Sequence, residues 1–451
     1  MPRDALGIDR PRLRALRARQ DAAFRERTPR SQALYRRARE LMPHGVPCAW
    51  MAGSETPVFV QSGDGASFCD VDGNCYVDMS QCDLSMSCGY GPQPVATAVS
   101  RQFRAGSHYL LPTEDAIAVC ELLQQRYGAL RWQFTLSASG ANAEAIRLAR
   151  LATGRDRTLI FSGKYHGHFD EVMVHDDGRG SMPDALGLPR SVIERTVVVP
   201  FNDLGALERA LAGGDLACVL TEPAMTNLGV ILPEPGFHDA LRRLTRQNGA
   251  LLIIDETHTQ VAAYGGLTRR WRLEPDILTL GKSLGGGVPV GAYGVSAPLA
   301  KLMEQHLELP LGMPPGLAVG GTTYGSALSL AAIRATLEQV MTPQAFERIA
   351  ALGARLADGI ERVIGARRLP WTAYRLGNRS GICLAPAWPR NAAEASAAID
   401  AELAGAARVF LANHGYWEPL PIHGPTASFV HGTEHIDGYV AALAEFIAAV
   451  T

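Results

Sequence analysis

Six short apolar runs, Phe134–Leu136, Thr158–Phe161, Thr196–Val199, Cys218–Leu220, Leu251–Ile254 and Ile277–Leu280, are separated by stretches of helical period. None alternates polar with apolar residues as a strand with one wet face does, so each must be covered on both sides. Parallel strands between two layers of helices meet that demand. The expected fold class is therefore α/β, a large doubly wound, mostly parallel-sheet domain. The 451 residues leave room for a second, smaller α+β domain built from both chain ends. On one side, Phe68–Met79 reads as a strand pair around Asp72-Gly73-Asn74; on the other, Leu328–Val340, Phe346–Val363 and Ile436–Val450 read as helices and Gly381–Leu384 as a strand. The expected division is 1–94 for a basic arm and the first part of the small domain, 95–321 for the large domain, and 322–451 for the rest of the small one.

Composition narrows the function. A formal net charge of -2 with 20% charged residues gives no global basis for binding nucleic acid. The exception is residues 1–40, with twelve arginines against five acids. Leu13, Leu16, Phe24, Leu34 and Leu41 recur among those charges, so the arm reads as a solvated helix lying on a partner subunit. No stretch reaches the roughly 18 apolar residues of a membrane span, and arginines interrupt any signal-peptide core, so a cytoplasmic protein without a membrane partner is expected. The eight cysteines include no C-x-x-C pair and read as reduced, packing thiols.

Of 43 basic residues only Lys164, Lys282 and Lys301 are lysines. Arginine cannot form a Schiff base, whereas a desolvated lysine amine can, so a surviving lysine is a candidate for chemistry. Open parallel sheets collect reactive groups at the carboxyl ends of their strands. Leu251–Ile254 ends in Asp255-Glu256, Cys218–Leu220 in Thr221-Glu222-Pro223, and Ile277–Leu280 in Gly281-Lys282-Ser283. A lysine for a Schiff base and a carboxylate for a ring nitrogen are what pyridoxal 5′-phosphate requires. The bland alternative is a capping Asp255 and a solvated Lys282. Ser137-Ala138-Ser139-Gly140-Ala141-Asn142 follows a strand and opens a helix, a seat for a phosphate as well as an ordinary N-cap. Tyr165-His166-Gly167-His168 offers an aromatic plate and two imidazoles, without the acidic ligand a metal site there would need.

Two motifs are rejected. Gly281-Lys282-Ser283 resembles the end of a P-loop, but Asp276 stands where its first glycine belongs, and no G-x-G-x-x-G follows the first strand of the α/β unit.

Asp255-Glu-Thr-His-Thr259, the glycine-flanked run Gly281–Gly294, Tyr165-His-Gly167, Glu222-Pro223 with Asn227, and Gly321-Thr-Thr-Tyr-Gly325 together resemble the class III, fold-type I pyridoxal-phosphate enzymes. The similarity is closest to the glutamate-1-semialdehyde 2,1-aminomutase branch and its β-amino-acid transaminase relatives. The resemblance implies that Lys282 forms the Schiff base and shuttles the proton, Asp255 pairs with the pyridine nitrogen, and Tyr165 and Thr257 flank the ring. It places Ala138 and Ser139 at the phosphate, with Glu222 and Asn227 among the cofactor-binding residues. It also implies a homodimer in which Thr322 reaches the phosphate of the other subunit, and a mobile loop around Asp184–Pro189.

The departures bear on substrate. The family's S-G-[ST]-E-A is Ser137-Ala-Ser-Gly-Ala141 here. The aminomutase's carboxylate-binding arginine falls in Pro47–Met51, where none stands, and its glutamate aligns near His423. Trp50, Met51, His258 and His423 are the candidate substrate contacts, and they suit a less acidic substrate. The expected activity is amino transfer between an amine or amino acid and a carbonyl acceptor. An internal amino shift or an epimerisation on the same scaffold is the alternative. A non-catalytic subunit would have no need of Lys282 and Asp255.

Overall fold

The computed structural model describes residues 3–52, 57–178, 180–306, 316–317, 319–418 and 424–451, so His423 lies outside the described residues. The chain divides into two compact units. The larger comprises Gln93–Phe346 with Pro389–Ala397, and the smaller comprises residues up to Pro92, Glu347–Trp388 and Ala398–Thr451. The division falls at 347 rather than at the expected 322. Residues 327–335 pack against Gln93–Ala105 and Glu114–Tyr127 of the larger unit, and their face of Ala327, Leu330, Ala331 and Ile333 is buried there.

The main sheet of the larger unit has seven strands: β1 (Arg131–Thr135), β2 (Arg157–Phe161), β3 (Thr196–Val199), β4 (Leu216–Thr221), β5 (Leu251–Asp255), β6 (Ile277–Leu280) and β7 (Gly291–Val295). Their order is β1-β7-β6-β5-β4-β2-β3, with β7 antiparallel to both neighbours and the pairs from β6 to β3 parallel. Alternate residues of the apolar runs serve opposite faces. Ile160, Cys218, Leu220 and Ile253 join one buried cluster with the helix Ala138–Thr153 (α1), while Leu159, Phe161, Val219, Leu252 and Ile254 join another with Leu204–Ala212 (α2) and Phe237–Asn248 (α3). Both faces are dry, which is why the runs carry no polar alternation.

β7 was not among the expected strands. Its sequence, Gly-Ala-Tyr-Gly-Val, lacks a long apolar run, yet all five residues are buried. A Cβ at Gly294 would stand 2.9 Å from the Trp132 ring, so the glycine is needed for β7 to lie against β1.

In the smaller unit, Val60–Asp64, Ser67–Asp70 and Cys75–Asp78 form an antiparallel meander, to which Tyr416–Trp417 adds in parallel. The expectation of eight reduced cysteines is corrected here. Cys69 lies opposite Cys75 across the hairpin, and the two form a disulfide. A cross-strand register brings them together, which the search for C-x-x-C spacing does not detect. The other six cysteines form no disulfide. In the arm, Leu13 and Leu16 of the helix Arg10–Arg27 are buried in a cluster with Phe410, Leu443, Phe446 and Ile447 of the same chain, while Leu34 and Leu41 are exposed.

A buried carboxylate in this unit predicts a pH effect. Burial pushes Glu418 up from its ordinary 4.5 to about 8, against a hydrogen bond donated by Tyr439 Oη at 2.6 Å. The folded chain keeps this proton while the unfolded chain releases it, so stability falls as pH rises from about 4.5 to about 8 and then levels off. Glu418→Gln keeps an acceptor for Tyr439 without the ionisation. Its thermal midpoint should fall less over that window than that of the unsubstituted protein, and parallel curves would show that Glu418 contributes nothing to the slope.

Candidate active site at the carboxyl edge of the sheet

Register places the two sequence-predicted reactive groups side by side. Asp255, the last residue of β5, pairs with Thr279 of β6, and Lys282 follows three residues later in the 3-10 turn Lys282–Gly285. Lys282 is half-buried and has φ +45°, the left-handed region a side chain adopts at a cost of roughly 1–3 kcal/mol. Its neighbours hold it there. Gln260 Nε2 donates to Gly281 O at 2.8 Å and to Thr257 O at 2.9 Å, and Leu284 N donates to Gly281 O at 3.0 Å.

Gly281 lets β6 meet the start of α1. A Cβ there would lie 2.7 Å from Ala138 Cβ and 3.0 Å from Ala138 N, with no flexible side chain to give way. Gly281→Ala should therefore displace the helix start from Lys282 and weaken cofactor retention at least about tenfold, a misplacement effect. Ultrafiltration of cofactor from the purified variant would measure this, and retention equal to that of the parent would refute it.

Helix α1 begins at Ala138 despite the departures from the family pattern. Ser137 caps it, its Oγ accepting from Gly140 N at 3.2 Å and its carbonyl from Ala141 N at 3.0 Å. The first amides of a helix lack intrahelical acceptors, and Ala138 and Ser139 are its first residues. Ser139 Oγ accepts from His168 N at 3.0 Å, which docks the Tyr165–His168 loop on the helix start.

Asp255 is buried and has three donors. Asn142 Nδ2 reaches Oδ2 at 2.8 Å, His166 Nδ1 reaches Oδ2 at 2.9 Å, and Thr257 N reaches Oδ1 at 2.9 Å. Burial alone would raise its pKa, but hydrogen bonds and charge from His166, with those from Thr257 and Asn142, outweigh it and hold the carboxyl below its ordinary value. Two buried polar atoms beside it, Thr257 Oγ1 and His166 Nε2, have no hydrogen-bond partner among the described residues.

The remaining expected residues distribute as follows. Tyr165 is half-buried between Lys164 and His166. Glu222 and His258 are buried and joined through Thr226, whose hydroxyl donates to Glu222 Oε2 and lies 2.6 Å from His258 Nδ1. Asn227 Nδ2 contacts Lys164 O at 3.5 Å. Thr322 is exposed. Trp50 and Met51 are exposed in a short turn of the smaller unit. Sequence reasoning missed Asn142, Thr226, Gln260 and Thr279 as parts of the site. Only Asn142 carried a signal, its place in the helix-opening run, and that signal suggested a cap rather than a partner for Asp255.

A buried carboxylate held below its ordinary pKa, a lysine just past the end of the neighbouring strand and a helix start for a phosphate fit pyridoxal 5′-phosphate. The model for aminotransferase class-III matches residues 50–370. The chain belongs to the class-III aminotransferase family. Over 425 residues, 92% of this chain and 97% of the other, this family member is 34% identical to a glutamate-1-semialdehyde 2,1-aminomutase of Desulfosudis oleivorans. Its fold matches that of a glutamate-1-semialdehyde aminomutase from Pseudomonas aeruginosa PAO1, solved in complex with PMP, with TM-score 0.94 and 36% identity over 99% of this chain and 100% of that one. An omega-transaminase from Sphaerobacter thermophilus matches with TM-score 0.85 and 30% identity over 93% and 97%. This class-III enzyme has the fold-type I architecture, and its cofactor is pyridoxal 5′-phosphate. Among the described residues no helix is long and apolar enough to cross a membrane.

Proposed function

We propose that this enzyme shifts an amino group within one small amino-carbonyl substrate, the chemistry of an aminomutase. The observation that carries this reading is the end-to-end similarity to glutamate-1-semialdehyde 2,1-aminomutases, together with the paired Asp255 and Lys282 at one sheet edge. Bound pyridoxal phosphate supplies an electron-accepting ring that stabilises negative charge at the carbon bearing the amine. In this proposal Lys282 Nζ binds the cofactor and moves the proton at that carbon, and Asp255 holds the ring nitrogen protonated. Tyr165 and Thr257 flank the ring, the Ala138 and Ser139 amides hold the phosphate, and Glu222 and Asn227 complete the cofactor shell. Thr322 of a second copy completes the phosphate site in a cytoplasmic homodimer. Trp50, Met51, His258 and His423 are the proposed substrate contacts.

Transamination between two substrates is the second reading. It is favoured by the absence of arginine from Pro47–Met51 and by the similarity to an omega-transaminase. Product analysis separates the two. The holoenzyme is incubated with glutamate 1-semialdehyde and with less acidic amino aldehydes, without a carbonyl acceptor, while absorbance and products are followed. Catalytic turnover to an isomer with no free keto product is the expected result. One equivalent of keto product per site, with the cofactor left as its amine until a keto acid is added, would replace the aminomutase reading with transamination.

A further inference from the structure

The environment of Asp255 is built more elaborately than a simple ion pair requires. A carboxylate offers about four acceptor positions, and three are taken by Asn142, His166 and the Thr257 amide. Asn142 and His166 share Oδ2, and the Thr257 amide takes Oδ1.

The donors are themselves fixed. Asn142 is fully buried; its two amide hydrogens go to Asp255 Oδ2 and to His166 O, both at 2.8 Å, and its Oδ1 accepts from Thr279 Oγ1 at 2.7 Å. A flipped amide would set an oxygen against two oxygens, so one orientation is allowed. His166 must donate from Nδ1, because an ionised carboxylate only accepts. Its Nε2 is buried without a partner among the described residues. Asn142 thus ties four elements at one point: α1, β5, β6 through Thr279, and the aromatic loop through His166.

We infer that Asn142 and His166 are positioning residues for the cofactor's ring nitrogen: both hold Oδ2 of Asp255, and together they keep this carboxylate charged and fixed in a dry site. Without them, burial would protonate Asp255, and a neutral acid cannot hold a pyridinium by charge. The inference rests on the proposed pairing of Asp255 with the ring nitrogen and extends it to side chains that do not touch the ring.

The test compares pyridoxal phosphate with its 1-deaza analogue, in which carbon replaces the ring nitrogen. Dissociation constants for both are measured by equilibrium ultrafiltration with the parent enzyme and with His166→Asn and Asn142→Ser, and the thermal midpoint of each apoprotein is recorded. The parent should bind the analogue at least about tenfold more weakly than the natural cofactor, a tenfold ratio being 1.4 kcal/mol. In each variant the ratio should fall to about threefold or less, because the group that senses the nitrogen is no longer prepared. A parent ratio near one would overturn the pairing of Asp255 itself. A tenfold parent ratio retained in both variants would overturn only the inference, since residues that merely fill space would weaken both cofactors alike. If a variant loses its cooperative transition, His166→Gln and Asn142→Ala replace it in the same comparison.

Discussion

Lys282→Ala should yield a folded protein that no longer shows the absorption band of lysine-bound cofactor and whose turnover is at least about a thousandfold lower. In the proposed mechanism the lysine has two tasks. It would supply the amine that captures the aldehyde, which an arginine cannot do because it stays protonated. It would also supply the base that moves a proton at the substrate carbon, and positioned acid-base groups contribute roughly 10²–10⁴ in rate. The nearest lysine in sequence is Lys301, 19 residues away, so rescue by a neighbour is not expected. Absorption spectra of the reconstituted variant and a single-turnover assay would measure both losses, and a variant keeping the band and the rate would remove Lys282 from the mechanism.

Asp255→Ala should weaken cofactor binding and slow the reaction together. The carboxylate is buried, so in the proposed pairing its removal leaves a protonated ring nitrogen without a counter-charge, and it strands the donors of Asn142 and His166. Breaking one side of a buried charge pair costs about 3–5 kcal/mol, or roughly 10²–10³ in an equilibrium constant, and the ring then accepts electrons less readily. Titration of the apoprotein with pyridoxal phosphate, followed by rate measurement at saturating cofactor, separates the two effects. Full activity at saturation would leave Asp255 a binding residue only.

The layout of the larger unit was readable because burial on both faces writes itself into composition. Each of the six apolar runs overlaps a strand, with Thr196–Val199 and Ile277–Leu280 matched at both ends. The seventh strand was not readable because its fitness is a matter of what it lacks. Gly291 and Gly294 matter through the space they leave for Ser137 and Trp132, and no pattern within five residues records a neighbour 130 or more positions away. Cys69 and Cys75 make the same point at short range, since only the register of the hairpin sets one against the other.

Lys282 and Asp255 could be picked from sequence alone, since a lysine in a chain that otherwise uses arginine and an acid closing an apolar run are local facts. That they stand at the ends of adjacent strands is a matter of register, and the hold on the Asp255 carboxylate comes from Asn142 in a helix 113 residues earlier and His166 in a loop 89 residues earlier. Residue type and spacing therefore determined which chemistry this protein can attempt. The tertiary structure decided how the Asp255 carboxylate is buried and held, because desolvation and hydrogen bonding act through space and not along the chain.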